Sequence, residues 1–171
     1  LQGKYMTKKQ TPERERTLLV IMGVVDQENR FLFRLLEDAS SRGGLDKYKQ
    51  VFIKPHPSLS SEGLGLVYES KFSYSIKQQS LSELWELVDV VFGVHSTGAA
   101  WEASWNGIPA IVTCAIDSLN LSPLSGLSGV QFVANVDDLL EQLNQPSNAQ
   151  IPQDYFYLGD NHNMWKALLN V

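Results

Sequence analysis

Two short clusters in this chain carry residue types that can hold an anion. His95-Ser96-Thr97-Gly98 follows the apolar run led by Asp89 (Val90-Val91-Phe92-Gly93-Val94) and leads into Ala99-Ala100-Trp101-Glu102. A buried strand that turns through small hydroxyl and glycine residues into a helix aims unpaired backbone N–H groups beyond the strand's end. The second cluster, Lys54-Pro55-His56-Pro57, follows Val51-Phe52-Ile53 and puts a cation and an imidazole at another strand's carboxyl end. Together they point to a ligand that carries phosphate. Neither a Gly-x-Gly-x-x-Gly nor a phosphate-loop lysine motif is present, which weakens a dinucleotide or ATP reading.

The elements that must position these clusters alternate in type. Thr17 to Val24 reads as an apolar strand, after which Asp26 is placed to cap a helix with Phe31, Leu32, Leu35 and Leu36 on its apolar positions. Arg42-Gly43-Gly44 stops that helix, and Val51 to Lys54 forms the next strand. Ser58 to Glu69 reads as a loop, Phe72 to Ile76 as a weak strand, and Ser80-Leu81-Ser82-Glu83 as a capping box opening a short helix through Leu87. Asp89 to Val94, Ala110 to Cys114 and Val130 to Ala134 are further strands, with helices over Thr97 to Asn106 and Val136 to Leu143 and a Ser, Leu and Gly loop from Asp117 to Gly129. Near-continuous apolar strands separated by helices predict an α/β fold, a Rossmann-like doubly wound and mainly parallel sheet covered on both faces. Ligands of such sheets sit outside the carboxyl ends of the strands, where both clusters fall.

Composition narrows the function classes. The chain has 171 residues, 43% of them hydrophobic, enough for one core. A formal charge of −5 argues against a general nucleic-acid binder, whose affinity depends on clustered Lys and Arg. No apolar run is long enough to span a bilayer. The single cysteine, Cys114, has no partner for an internal disulfide and reads as a thiol at the end of a buried strand. Residues 1–16 are polar and charged and read as a linker or tail, 17–150 as the folded domain, and 151–171 as a terminal segment. Tyr155, Phe156, Tyr157, Trp165, Leu168 and Leu169 in that last segment require an apolar surface to pack on. Asp160, His162 and Asn163 offer donors for a metal without a recognisable ligand spacing, so no metal site is expected.

Lys54-Pro55-His56-Pro57, the Asp89-led strand with Ser96-Thr97, and Glu102-Ala103 with Gly107-Ile108-Pro109 resemble the carboxyl-terminal, donor-binding domain of GT-B-type glycosyltransferases. The likeness is to bacterial surface-carbohydrate and capsule enzymes, with further similarity to bacterial sialyltransferases and to glycerophosphotransferases of teichoic acid synthesis. It covers roughly Leu18 to Leu143, and the spacing Glu-Ala-x-x-x-Gly-x-Pro is its most specific part.

The resemblance implies a catalytic His56 against the donor phosphate, with Ser96, Thr97 and the N–H groups of Thr97 and Gly98 holding the same group. Glu102 would accept hydrogen bonds from ribose hydroxyls, with Lys54 and His95 as further binding candidates and Gly107 and Pro109 as structural residues. Each position also has a plainer reading. His56 could cap a turn, Ser96 and Thr97 could cap a helix, Glu102 could face solvent, and Lys54 could pair with a carboxylate. The family's chemistry implies transfer of a sugar or glycerophosphate-like unit from a nucleotide-activated donor to a surface polysaccharide. No cofactor or metal is implied, because N–H groups and a cation can stabilise charge on the leaving phosphate. An amino-terminal acceptor domain would be a further partner, since nothing before Thr17 can supply one, so the chain is expected to be a carboxyl-terminal half with little activity alone. The expected address is the cytoplasm, including peripheral association at the inner face of the membrane. The rival functions are a nucleotide-sugar epimerase and a non-catalytic binding or scaffold module.

Overall fold

In a computed structural model, residues 16–59, 65, 67, 69–114, 119–152 and 155 are described. The chain forms β1 (Arg16–Ile21), α1 (Asp26–Ser41), β2 (Tyr48–Lys54), β3 (Ser75–Ile76), α2 (Leu81–Leu84), β4 (Val90–Val94), α3 (Ala99–Trp105), β5 (Ala110–Thr113), β6 (Gln131–Val133) and α4 (Val136–Asn144). The strands make one sheet of six in the order β3-β2-β1-β4-β5-β6, parallel at every pairing. The α/β, Rossmann-like expectation therefore holds. β1 lies at the centre, with Ile21 opposite Lys54 of β2 on one side and Gly93 of β4 on the other.

The side-chain alternation of β1 divides the core between the two faces. Leu18, Val20 and Met22 pack with Leu32 and Leu36 of α1 and Leu139 and Leu143 of α4. Leu19 and Ile21 pack on the other face with Leu84 of α2 and with Ala99, Ala100 and Ala103 of α3. Small residues let α3 lie close to the sheet, and its end is fixed by Gly107, whose φ of 74° places it in the left-handed region. The Gly107 N–H donates to Ser104 O at 3.0 Å, and the Ile108 N–H to Ala103 O at 2.9 Å.

Several boundaries differ from the sequence expectation. β1 ends at Ile21 and includes Arg16, while β2 starts at Tyr48. The early start of β2 follows from burial of the Tyr48 ring, whose hydroxyl donates to Leu143 O at 2.9 Å. β3 keeps only two of its five expected residues, and α2 is a single turn although the Ser80–Glu83 capping box forms on both sides. Asp26 does not cap α1. The N-cap is Val25, with no side-chain cap bond, and Asp26 lies inside the first turn. Phe33 rather than Phe31 joins the fully buried face of α1. Cys114 follows β5 and is half-buried rather than enclosed, although its N–H extends the ladder to Val133 O at 2.9 Å. Within the stretch expected to be loop, the Glu69 N–H donates to Gly65 O at 3.0 Å, a helical turn. Residues 1–15, 115–118 and 156–171, with Asp160, His162 and Asn163, lie outside the described residues.

Candidate functional site

The strand order places the change of direction at β1 and β4. From β1 the chain runs outward through β2 to β3, and then returns to the other side of β1 to lay down β4, β5 and β6. A crevice at such a switch point is the usual ligand seat of an open α/β sheet. Because all strands are parallel, Lys54 at the end of β2, His56 just beyond it, and His95, Ser96 and Thr97 after β4 share the sheet's carboxyl edge. They stand two strand spacings apart, roughly 10 Å at the backbone. The end of β1 runs between them.

That central tip is tightly built. The side chain of Asn29, fully buried in α1, accepts from the Gly23 N–H at 2.9 Å and donates to Gly23 O at 3.0 Å. It thus pairs with the backbone of Gly23 much as a neighbouring strand would. The preceding residue, Glu28, reaches the end of β4: Oε2 accepts a hydrogen bond from Ser96 Oγ, and Oε1 lies 3.7 Å from His95 Nε2. His95 is only 5% exposed and makes no hydrogen bond among the described residues. Gly23 is required here by space. A Cβ at that position would stand 2.6 Å from Val94 Cγ2 and 3.3 Å from Ser96 Oγ.

At the β2 tip both polar side chains have backbone partners. Lys54 Nζ donates to Gln78 O at 3.2 Å, beyond the end of β3, so its side chain turns away from β1 and β4. The His56 Nδ1 accepts from the Ser58 N–H at 3.1 Å, the turn-capping role, which leaves the Nε2 edge as the imidazole's free donor. After β4 the expected pair of N–H groups is reduced. The Thr97 N–H donates to Val94 O at 3.4 Å, and the Thr97 hydroxyl accepts from the Ala99 N–H at 3.3 Å. The helix starts at Ala99, two residues later than expected, and Gly98 is its N-cap with open space on its Cα. Glu102 is exposed on the first turn of α3, and its carboxylate has no hydrogen-bond partner among the described residues.

The structure therefore brings together His95, Ser96 and a residue that sequence reasoning missed, Glu28. It keeps His56, Thr97, Gly98 and Glu102 on the same edge, and it separates Lys54. A polar residue inside the apolar stripe of α1, Asn29 on the same face as Leu32 and Leu36, was the available signal. Among the described residues no group of three or more His, Cys, Asp or Glu side chains is arranged to hold a metal ion, and no helix is long and apolar enough to cross a membrane.

No family model matches the chain, and no curated protein matches it. Among solved structures it is similar to the UDP-GlcNAc 2-epimerase of Methanocaldococcus jannaschii, solved in complex with UDP-GlcNAc and UDP. The TM-score is 0.62 at 16% identity, over 92% of this chain and 46% of the epimerase. The shared fold is Rossmann-like. This chain spans less than half the length of the protein it matches.

Proposed function

We propose that this chain is the nucleotide-sugar-binding half of a two-domain, GT-B-type enzyme, and that the whole protein transfers a sugar or glycerophosphate-like unit to a surface polysaccharide. The observation that supports this reading is that His56, after β2, and Ser96, Thr97 and Gly98, after β4, share the carboxyl edge of one parallel sheet on either side of its switch point. The likeness to an enzyme solved with UDP-GlcNAc and UDP, over under half of its length, supports both the ligand class and the division into halves.

In this reading the Nε2 edge of His56 donates to the leaving phosphate, with its ring orientation fixed by the Ser58 N–H. Negative charge growing on that phosphate is met by donors already in place, which need no reorganisation as the bond breaks. The Gly98 N–H and the Thr97 hydroxyl supply the other side of the phosphate seat. Glu102 accepts from ribose hydroxyls with a carboxylate that no described side chain occupies. The chemistry proceeds without a metal, and the enzyme works in the cytoplasm or at the inner face of the membrane on an acceptor held by the other half.

Titration of CMP, CDP and UDP against the chain, with His56→Ala and Glu102→Ala in parallel, tests the site. Saturable binding that both substitutions weaken about tenfold, the scale of one lost charge-assisted hydrogen bond, supports it. Absence of binding by all three nucleotides would leave a scaffold module instead. A second reading, a nucleotide-sugar epimerase, is favoured by the fold likeness itself. Incubating the full-length parent with UDP-GlcNAc separates the two: an epimerase forms the 2-epimer without acceptor, whereas a transferase releases UDP only when acceptor is added.

A further inference from the structure

A carboxylate at the β1/β4 tip is a poor neighbour for phosphate. Glu28 already accepts from Ser96 Oγ and sits 3.7 Å from His95 Nε2, with its side chain 19% exposed. A phosphate at Ser96 would place two negative groups a few ångströms apart, and like charges at that distance repel even beside solvent. Glu28 lies in the first turn of α1, so the positive end of that helix is already offset by its own acid.

Resting on the nucleotide-sugar reading above, we infer that Glu28, Ser96 and His95 form the seat of the sugar ring's hydroxyls rather than of the phosphate, and that Glu28 is the residue that selects the sugar. A carboxylate offers about four acceptor sites, and Ser96 occupies one of them. The remainder suits a pair of adjacent hydroxyls, each of which brings a donor. Ser96, while donating to Glu28, still presents lone pairs to a ligand hydroxyl. His95, nine-tenths buried and without a hydrogen bond among the described residues, holds its Nε2 3.7 Å from the carboxylate. The phosphate then lies toward Gly98 and His56.

Asn29 explains why this carboxylate is held firmly enough to discriminate. Its two bonds to Gly23 fix the start of α1 against the end of β1, one residue after Glu28. Gly23 provides the room, since any Cβ there would press on Ser96 Oγ and lie 3.5 Å from Glu28 Oε2.

Calorimetric titration of the 171-residue chain with UDP and with UDP-GlcNAc, for the unaltered protein, Glu28→Gln and Ser96→Ala, tests this. The unaltered chain should bind UDP-GlcNAc more tightly than UDP by about tenfold, the lower range for hydrogen bonds to a charged group. In Glu28→Gln that ratio should fall toward one, and in Ser96→Ala it should shrink by a smaller factor. An unchanged ratio in Glu28→Gln overturns the inference, as does an equal loss for both ligands, which would mean that Glu28 only braces α1 against β4. A rise in affinity for both ligands by the same factor also overturns it, because Glu28 would then be repelling the phosphate and not reading the sugar. If the unaltered chain binds neither ligand, it is the nucleotide-sugar reading itself that fails. Matching unfolding midpoints of the three proteins exclude loss of fold as the cause.

Discussion

The tips of β2 and β4 sit on the same edge of one sheet and carry similar residue types, yet they are built in opposite ways. At β2 the side chains bond on their own side of the sheet: His56 is capped by Ser58 within its turn, and Lys54 turns outward to Gln78 beyond β3. At β4 the decisive contact is distant, because Ser96 and His95 meet Glu28 from a helix that begins 70 residues earlier in the chain, at Asp26. A local turn is set by the residues in it and can be replaced without disturbing the sheet. A long-range cluster depends on the packing of α1 against β1, so its chemistry and the stability of the fold are tied together.

The strongest way to break this contrast is Asn29→Ala. The substitution leaves the N–H and carbonyl of Gly23 without partners inside the protein, and it opens a cavity at a fully buried position. A loss of about 4 kcal/mol is expected from two orphaned buried groups, read as a lower urea midpoint. A cost below about 1 kcal/mol would show that the tip of β1 is as replaceable as a surface turn. The far end of β2 offers the next test. Burial pushes the Tyr48 hydroxyl up to about 12 from its ordinary value near 10, so folding favours the neutral phenol. Stability from this group is complete below pH 10. It declines as the unfolded chain ionises between pH 10 and 12, by about 3 kcal/mol in total. Tyr48→Phe should flatten that alkaline decline while costing about 1 kcal/mol near neutrality for the lost bond to Leu143 O. An unaltered decline would mean that other groups govern it.

The same contrast explains what could be read from the sequence. The central strands declare themselves because a parallel strand buried on both faces must be apolar along its length, as Leu18 to Ile21 and Val90 to Val94 are. The Ser80–Glu83 box was legible for a related reason: both of its bonds close within four residues. Glu28 was legible only indirectly, through the polar Asn29 beside it in the apolar stripe of α1, because nothing near it in the chain hints at Ser96. The error over Asp26 has a similar origin. A capping rule weighs only neighbours, whereas α1 starts where Asn29 can reach the backbone of Gly23. Lys54 looked free for a ligand because the return of the chain past Ile76 to Gln78 could not be seen in its own motif.

Gly23→Ala sharpens the comparison without removing any polar group. The added methyl would stand 2.6 Å from Val94 Cγ2, which is itself fully buried, so either the end of β1 or that of β4 must shift. Overpacking of this kind should cost about 2 kcal/mol. It should also loosen the Glu28 to Ser96 contact, visible as a shifted Ser96 amide resonance. The equivalent change at the β2 tip, His56→Ala, removes one half-buried side chain whose only described bond is a turn cap, and should cost under about 1 kcal/mol in stability. Its effect should appear instead in nucleotide affinity. If His56→Ala destabilised the chain as much as Gly23→Ala while leaving nucleotide binding intact, the two tips would have exchanged roles, and the imidazole would belong to the scaffold rather than to the ligand.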